Sequence, residues 1–188
     1  MQYAETHPNT KIRTVDMVYI ALFAVLIAVC SWITIPMAVP FTMQTFGMFM
    51  AVEVLGGKKG SLAVLVYILL GAAGIPVFAG FSGGAGVLLS ASGGYIIGFL
   101  AGALVMWLIE SLFGRSRVIS LVSMLAGLAV CYFFGTAWFM RVYLKSTGPV
   151  SLLTVLGWCV FPFIIPDLAK IALAWVLAPR IRRFSATI

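Results

Sequence analysis

The chain has 188 residues and a formal charge of +7, with 63% hydrophobic and 9% charged residues, and its mean hydropathy is +1.15. This composition excludes an ordinary soluble domain, because several apolar runs exceed the roughly 18 residues that cross a bilayer as a helix. The runs do not alternate at every second residue, as a membrane β-barrel requires. We therefore predict an all-α integral membrane protein.

Breaks at proline, glycine and charged residues divide the chain into a bundle of six predicted transmembrane helices. They cover residues 17–38, 42–56, 60–77, 93–113, 118–142 and 162–178. The second and third are short, and residues 152–158 are predicted as a short interfacial helix before the last span. The predicted organisation is a cytoplasmic tail over 1–16, a membrane domain over 17–180 and a cytoplasmic basic tail over 181–188.

The basic residues predict the orientation of this bundle. Nine of the twelve fall on one side when the N-terminus is inside. These nine are Lys11, Arg13, Lys58, Lys59, Arg115, Arg117, Arg180, Arg182 and Arg183. Arg141 and Lys145 fall on the other side, and Lys170 lies within the last span. The positive-inside rule thus predicts a multi-pass protein of the plasma membrane with both termini in the cytoplasm. Topology and contact with membrane lipid account for the charge, so no nucleic-acid partner is expected.

Two ionisable residues stand inside the last predicted span. Asp167 and Lys170 are three residues apart and share one face of a helix. Such groups usually face the bundle interior or a water-filled cavity. Pro166 is predicted at the first helical position, which places Asp167 in the first turn. The pair suits a small ligand with N–H donors beside a carbonyl or carboxylate. A self-neutralising pair that supports packing and the membrane carboxylate of a proton-coupled carrier remain alternatives.

A glycine-rich segment, GAAGIPVFAGFSGGAGVLLSASGGYIIGF, covers residues 71–99. Irregular backbone at membrane depth is tolerated only where it is buried in protein or lines a cavity. We predict an external loop over 78–92, between the third and fourth helices, that folds over a cavity and acts as a lid; a plain flexible connector is the alternative. The candidate binding residues on and beside it are Phe81, Gly83, Gly84, Ser90 and Tyr95.

The first external connection adds polar groups at the same face of the membrane. Gln44 and Thr45 are predicted to belong to the same pocket. In the first helix, Ala21, Ala24 and Ala28 form a stripe of small residues that lets another helix approach closely. That helix belongs either to a partner protein or to a neighbouring span of the same chain.

No sequence pattern predicts an enzyme. GGKKGS at 56–61 is not a phosphate-binding P-loop, and no G-x-G-x-x-G follows a plausible strand. The single histidine, His7, lies in the polar tail, which argues against a serine–histidine arrangement. No catalytic residues, metal ligands or cofactors are therefore predicted, and Cys30, Cys131 and Cys159 are interpreted as small buried apolar residues.

Three segments together resemble one family. GIPVFAGFSGG, SGGYIIGF and PFIIPDLAK are similar to segments of the BioY family, the biotin-binding S components of energy-coupling factor (ECF) vitamin transporters. The resemblance covers about residues 15–178. It implies a substrate-capture subunit that binds biotin as its transported ligand, without a cofactor. It also implies an energising module of a transmembrane coupling protein and two ATPases as the partner.

The resemblance also implies roles for site residues. Asp167 would accept hydrogen bonds from the ureido N–H groups of biotin. Lys170 would donate to the ureido carbonyl or pair with Asp167. The alanine stripe of the first helix would contact the coupling protein. Rival readings are an S component for another vitamin (thiamine or riboflavin), an ion-coupled secondary transporter, and a structural or assembly membrane protein.

Overall fold

The structure is a computed structural model that describes residues 13–37, 39–146, 148 and 151–185. Eight α-helices lie in this part of the chain. They are α1 (Thr14–Trp32), α2 (Gln44–Leu55), α3 (Gly57–Ala72), α4 (Ala85–Leu89), α5 (Gly93–Phe113), α6 (Arg117–Ser146), α7 (Leu152–Cys159) and α8 (Phe161–Ser185). Two short strands, β1 (Thr34–Ile35) and β2 (Phe41–Thr42), pair antiparallel between α1 and α2.

Helix length separates two groups of helices. Among the described residues, α1, α5, α6 and α8 are long and apolar enough to cross a membrane. Helix α2 has 12 residues and α3 has 16, which correspond to about 18 Å and about 24 Å at the α-helical rise. Both are shorter than the roughly 30 Å of membrane hydrocarbon. The prediction of a mainly helical membrane protein is confirmed, and helix length supports four of the six predicted spans.

The short helix α2 lies at the centre of the bundle. It packs against α1, α3, α5, α6 and α8, and nine of its 12 residues are buried. At the junction with α3, a Cβ atom on Gly60 would lie only 2.4 Å from the Cα atom of Val52, so only glycine allows these two helices to pack so closely. Because α2 is surrounded by protein, it needs no long apolar surface toward lipid.

Five helix ends meet at one end of the bundle. The Lys59 ammonium lies 2.7 Å from the carboxylate of Asp16, near the start of α1. The N–H of Gly57, in the turn between α2 and α3, donates to Glu110 near the end of α5 at 2.8 Å. The hydroxyl of Ser120, near the start of α6, donates to a carboxylate near the end of α2 at 2.6 Å. The turn between α2 and α3 therefore lies level with the ends of the long helices.

The end of the chain differs from the prediction in one respect. The short helix predicted over 152–158 is confirmed as α7. The prediction that Pro166 begins the last helix is wrong, because α8 starts at Phe161 and contains both Pro166 and Pro179. Pro162 occupies the first turn, where its missing N–H would be unpaired in any case. Asp167 consequently lies in the second turn of α8. The dipole at the helix N-terminus is therefore not the main interaction that stabilises its carboxylate.

The tail boundaries also shift. Helix α8 extends to Ser185, into the predicted basic tail, and α1 begins at Thr14, inside the predicted N-terminal tail. Residues 1–12 and 186–188 lie outside the described part of the chain.

The alanine stripe of α1 points mostly inward. Ala24 and Ala28 are 1% and 5% exposed and belong to the hydrophobic core, while Ala21 is exposed. Their small side chains serve packing within the bundle, where α1 contacts α2 and α3. Ala21 is therefore the one residue of the predicted partner-contact stripe that lies on the outer surface in this structure. The apolar side chains that α1 exposes include Val15, Val18, Leu22, Val25 and Val29.

Candidate functional site

The bundle contains a cavity of about 140 Å³ at the end where β1 and β2 lie. Its walls come from β2, α2, α5, α6 and α8, from α7, and from the segment between α3 and α5. The polar residues that line it are Thr42, Gln44, Thr45, Ser82, Ser92, Tyr95, Tyr132, Asp167 and Lys170. Mostly apolar walls with a few converging polar groups are typical of a small-molecule site.

The charged pair of α8 forms the polar centre of this cavity. Asp167 and Lys170 are 3% and 5% exposed, and Nζ of Lys170 lies 2.7 Å from Oδ1 of Asp167. Thr45 donates its hydroxyl to the same Oδ1 at 3.0 Å. Tyr132 of α6 donates to Oδ2 at 2.6 Å. The carboxylate is thus held by three side chains from three helices, and its charge is balanced by Lys170.

Three oxygen atoms surround the Lys170 ammonium. Besides Asp167, it donates to the carbonyl of Thr42 at 2.6 Å and to the hydroxyl of Thr45 at 3.2 Å. An ammonium has three N–H donors, so these contacts use all of them. The carboxylate of Asp167 offers about four acceptor positions and uses three, which leaves one for a further donor. The pair therefore presents an acceptor to the cavity more readily than a donor.

A second network fixes the start of α2. The Thr42 hydroxyl donates to the side-chain oxygen of Gln44 at 3.1 Å and accepts from its backbone N–H at 3.2 Å. The side-chain amide of Gln44 donates to the Tyr67 hydroxyl of α3. Thr42 and Gln44 are both buried. These bonds hold the Gln44 side chain in one orientation at the cavity wall.

Aromatic rings make the apolar walls. The Lys170 ammonium lies 4.1 Å from the ring centroid of Phe41, a cation–π distance. Phe41 stacks on Phe163 with a centroid separation of 6.0 Å. Phe78, which is fully buried, packs edge-on against Tyr67. The polar centre is thus enclosed by a largely apolar surface.

The glycine-rich segment folds along one side of the cavity as a 3₁₀ turn (Ala79–Phe81) followed by α4. Gly84 has φ of +98° where α4 begins, a conformation that favours glycine, and its N–H donates to the carbonyl of Gly71 at 2.7 Å. Within the predicted loop over 78–92, the residues that line the cavity are Phe78, Ala79, Ser82, Val87 and Ser92.

The structure brings together five of the nine predicted binding residues. Asp167, Lys170, Gln44, Thr45 and Tyr95 all line the cavity.

The other four predicted binding residues are not part of the cavity lining. Phe81 is 64% exposed and stacks on Trp32 at 4.9 Å. The backbone carbonyl of Ser90 accepts from the Trp138 indole at 3.0 Å. Gly83 packs closely against the backbone of Ile75, and Gly84 forms the turn into α4. In this structure Phe81, Gly83, Gly84 and Ser90 shape the segment and do not line the cavity.

Two important lining residues escape prediction from sequence. Tyr132 holds Asp167, and Phe41 covers Lys170. Tyr132 carries one signal, because a tyrosine in a long apolar helix needs a partner for its hydroxyl when it is buried. Phe41 carries no signal that separates it from the other apolar residues around it.

No cluster of three or more His, Cys, Asp or Glu side chains that can hold a metal lies within the described residues. The three cysteines are unpaired and buried, and Cys131 and Cys159 line the cavity.

Known proteins are similar to this chain in both sequence and fold. The chain is 39% identical to the biotin transporter BioY of Thermotoga maritima, over 89% of this chain and 96% of that protein. It is 41% identical to a probable biotin transporter BioY of Pyrococcus horikoshii, over 87% and 93% of the two chains. The crystal structure of the S component for biotin from an ECF-type ABC transporter matches with a TM-score of 0.81 and 27% identity, over 94% and 95% of the chains. A family model described as the BioY family matches residues 5–187, and this chain belongs to that family.

Proposed function

We propose that this chain is the biotin-binding substrate-capture subunit, or S component, of an ECF-type ABC transporter that takes up biotin. The relatives named as biotin transporters and the matching S component support this function. The observation that carries the proposal at the level of residues is the Asp167–Lys170 pair, buried at the polar centre of the cavity.

The chemistry of biotin fits this centre. Its ureido ring carries two N–H donors and a carbonyl, and its thioether ring and alkyl chain are apolar. The remaining acceptor position of Asp167 receives one ureido N–H without breaking a bond within the protein. Lys170 is held by Asp167, Thr45 and Thr42, so its proposed role is to keep the carboxylate ionised and oriented. The phenylalanine walls then cover the apolar part of the ligand.

The proposed partners supply the energy for uptake. No P-loop sequence is present, so the ATPase activity belongs to the energising module, a transmembrane coupling protein with two ATPases. We propose that the chain itself binds and carries biotin and does not catalyse a reaction. No cofactor is proposed beyond biotin as the transported ligand.

Calorimetry with the purified chain in detergent tests the substrate. We expect biotin and desthiobiotin to bind, because both carry the ureido ring that Asp167 recognises. Lipoate serves as the matched control, since it shares the pentanoate tail and lacks the ureido group, and we expect it not to bind. Equal binding of lipoate and biotin, or binding of thiamine or riboflavin instead, would contradict the proposal. Uptake into liposomes by this chain alone, driven by a proton or sodium gradient, would indicate a secondary transporter.

We also propose that six helices cross the plasma membrane with both termini in the cytoplasm. Support comes from the five helix ends that meet at one end of the bundle. The Lys59–Asp16 and Gly57–Glu110 contacts place the turn between α2 and α3 beside the start of α1 and the end of α5. At the other end, the N–H of Met43, just before α2, donates to the carbonyl of Cys30 near the end of α1 at 3.1 Å, so α2 begins beside the end of α1 and finishes beside its start.

Single introduced cysteines test this topology in intact cells. Lys58→Cys lies in the first turn of α3, and Ser151→Cys precedes α7; both positions are exposed. We expect a membrane-impermeant maleimide to label Ser151→Cys from outside and Lys58→Cys only after permeabilisation. The native cysteines, Cys30, Cys131 and Cys159, are buried, so we expect little background labelling from them. Labelling of Lys58→Cys in intact cells would contradict this topology, because the Lys59–Asp16 contact would then place the start of α1 outside as well.

A further inference from the structure

A second cavity, of about 450 Å³, lies at the opposite end of the bundle. It is lined by the last turns of α2, α5 and α8 and by the first turns of α6. Five charged residues face it, namely Glu53, Glu110, Arg115, Arg117 and Arg182. Three serines, Ser116, Ser120 and Ser123, add hydroxyl groups. This cavity shares no lining residue with the first one, so the ligand site described above does not account for it.

The charges of this second cavity do not all cancel within the protein. Arg115 pairs with Glu110 at 2.7 Å, and Glu53 accepts from the hydroxyl of Ser120. Arg117 and Arg182 have no carboxylate within salt-bridge distance in the described part of the chain. Three arginines and two glutamates leave one net positive charge in the cavity.

The two arginines without a carboxylate differ in how firmly they are held. Arg117 donates to the carbonyl of Trp175 at 2.9 Å and lies 5.1 Å from the centroid of its ring. The Trp175 indole returns a bond to the carbonyl of Arg117 at 2.9 Å, so this guanidinium is fixed in place with other N–H groups available. Arg182 is half-buried, and no bond from its guanidinium is found in the described residues. Glu53 attracts Arg182 only at longer range, and a half-buried guanidinium without a hydrogen-bonded partner calls for an anion from outside the chain.

The surface beside the cavity is apolar. Leu112, Phe113 and Val118 flank the turn between α5 and α6 and are 67%, 67% and 71% exposed. Further exposed apolar side chains of α5 and α6 include Leu104, Leu108, Val122 and Leu125, on the outward helix faces that point away from the cavity. A soluble anion would contact only the charged cavity. A phospholipid would contact both surfaces, with its headgroup in the cavity and its acyl chains along these helices. Basic pockets between transmembrane helices at the membrane surface bind anionic headgroups in this way.

We propose that this second cavity binds the headgroup of an anionic glycerophospholipid, with Arg182 and Arg117 as the phosphate-binding side chains. A phosphodiester carries one negative charge, which balances the net positive charge of the cavity. Glu53 and the serine hydroxyls accept hydrogen bonds from a hydroxylated substituent such as glycerol. A bound lipid at this position links α8, which carries the Asp167–Lys170 pair, to the turn between α5 and α6.

The test is native mass spectrometry of the delipidated full-length chain with phosphatidylglycerol and with phosphatidylcholine of the same acyl chains. We expect phosphatidylglycerol to be retained preferentially. Arg182→Gln should lower its occupancy at least about fivefold, since one basic group near a membrane surface contributes on the order of that factor. Arg180→Gln is the matched control, because Arg180 is exposed at the same end of α8 and does not line the cavity, and it should leave the occupancy unchanged.

Two outcomes would overturn the proposal. An equal loss in Arg182→Gln and Arg180→Gln, or no loss in either, would mean that lipid binds by general charge attraction and not in the cavity. Displacement of the lipid by an equal concentration of soluble glycerophosphoglycerol, which has the same headgroup without acyl chains, would assign the site to a soluble phosphodiester. Calorimetry with biotin on the same samples reports separately on the first cavity, so failure of the two proposals can be distinguished.

Discussion

Asp167→Asn is expected to weaken biotin binding by about tenfold to a hundredfold. Hydrogen bonds to a charged group contribute roughly 1.5–3 kcal/mol, which corresponds to that range of affinity. The amide keeps the shape of the side chain and removes both the charge and one acceptor. Calorimetry on the purified variant measures the effect. Glu53→Gln is the matched control, because Glu53 is also a helical carboxylate bonded to a hydroxyl and lies outside the proposed biotin site. The affinity of this variant for biotin should equal that of the parent protein.

The same substitution also leaves Lys170 without its counter-charge. Breaking a buried ion pair from one side typically costs about 3–5 kcal/mol, so thermal stability should fall together with affinity. The double variant Asp167→Asn/Lys170→Met separates the two effects, because it removes the unpaired charge. We expect it to regain stability and still to bind biotin poorly. Parent-like affinity in the stable double variant would show that the pair is structural and does not recognise the ligand.

Gly135→Ala is the second substitution with a large expected effect. A Cβ atom at Gly135 of α6 would lie 2.2 Å from Cδ1 of Tyr95, so the Tyr95 ring must move. That ring lines the ligand cavity, and its hydroxyl lies 3.2 Å from the Thr136 hydroxyl. Overpacking of this kind costs about 1–3 kcal/mol. If the ring relieves the strain by moving into the cavity, biotin must push it back, and the affinity should fall about fivefold to a hundredfold.

Gly157→Ala is the control for this experiment. Gly157 lies in α7, and a Cβ atom there would meet nothing within 4 Å. The substitution should leave biotin binding unchanged and stabilise the helix by up to about 1 kcal/mol, because glycine is unfavourable inside a helix. Calorimetry and thermal unfolding of both variants provide the comparison. Normal binding by Gly135→Ala would mean that Tyr95 moves away from the cavity and does not shape the ligand site.

The central pair shows what sequence alone can predict about a site. Asp167 and Lys170 are three residues apart, so helical geometry alone places them on one face, and the cost of charge in a membrane predicts an interior position. Both expectations hold. Tyr132 and Thr45 were harder to assign to the pair because their contacts with Asp167 span 35 and 122 residues of sequence. The helical periodicity of a sequence predicts which face of its own helix a residue occupies. It does not predict which distant helix that residue contacts.

The class of protein and the family follow from the sequence by itself. The class is indicated by the long apolar runs and the segregated basic residues. The family is indicated by the glycine-rich segment and by PFIIPDLAK, which contains Asp167 and Lys170. All of these are local patterns in the sequence. The tertiary structure alone decided that Ala24 and Ala28 are inside the bundle and that Phe81 is outside the cavity. It also showed that a 12-residue α2 lies at the centre of the bundle, in contact with five other helices. Each of these depends on which surfaces pack against each other, and packing joins residues far apart in the chain, where a local pattern carries no signal.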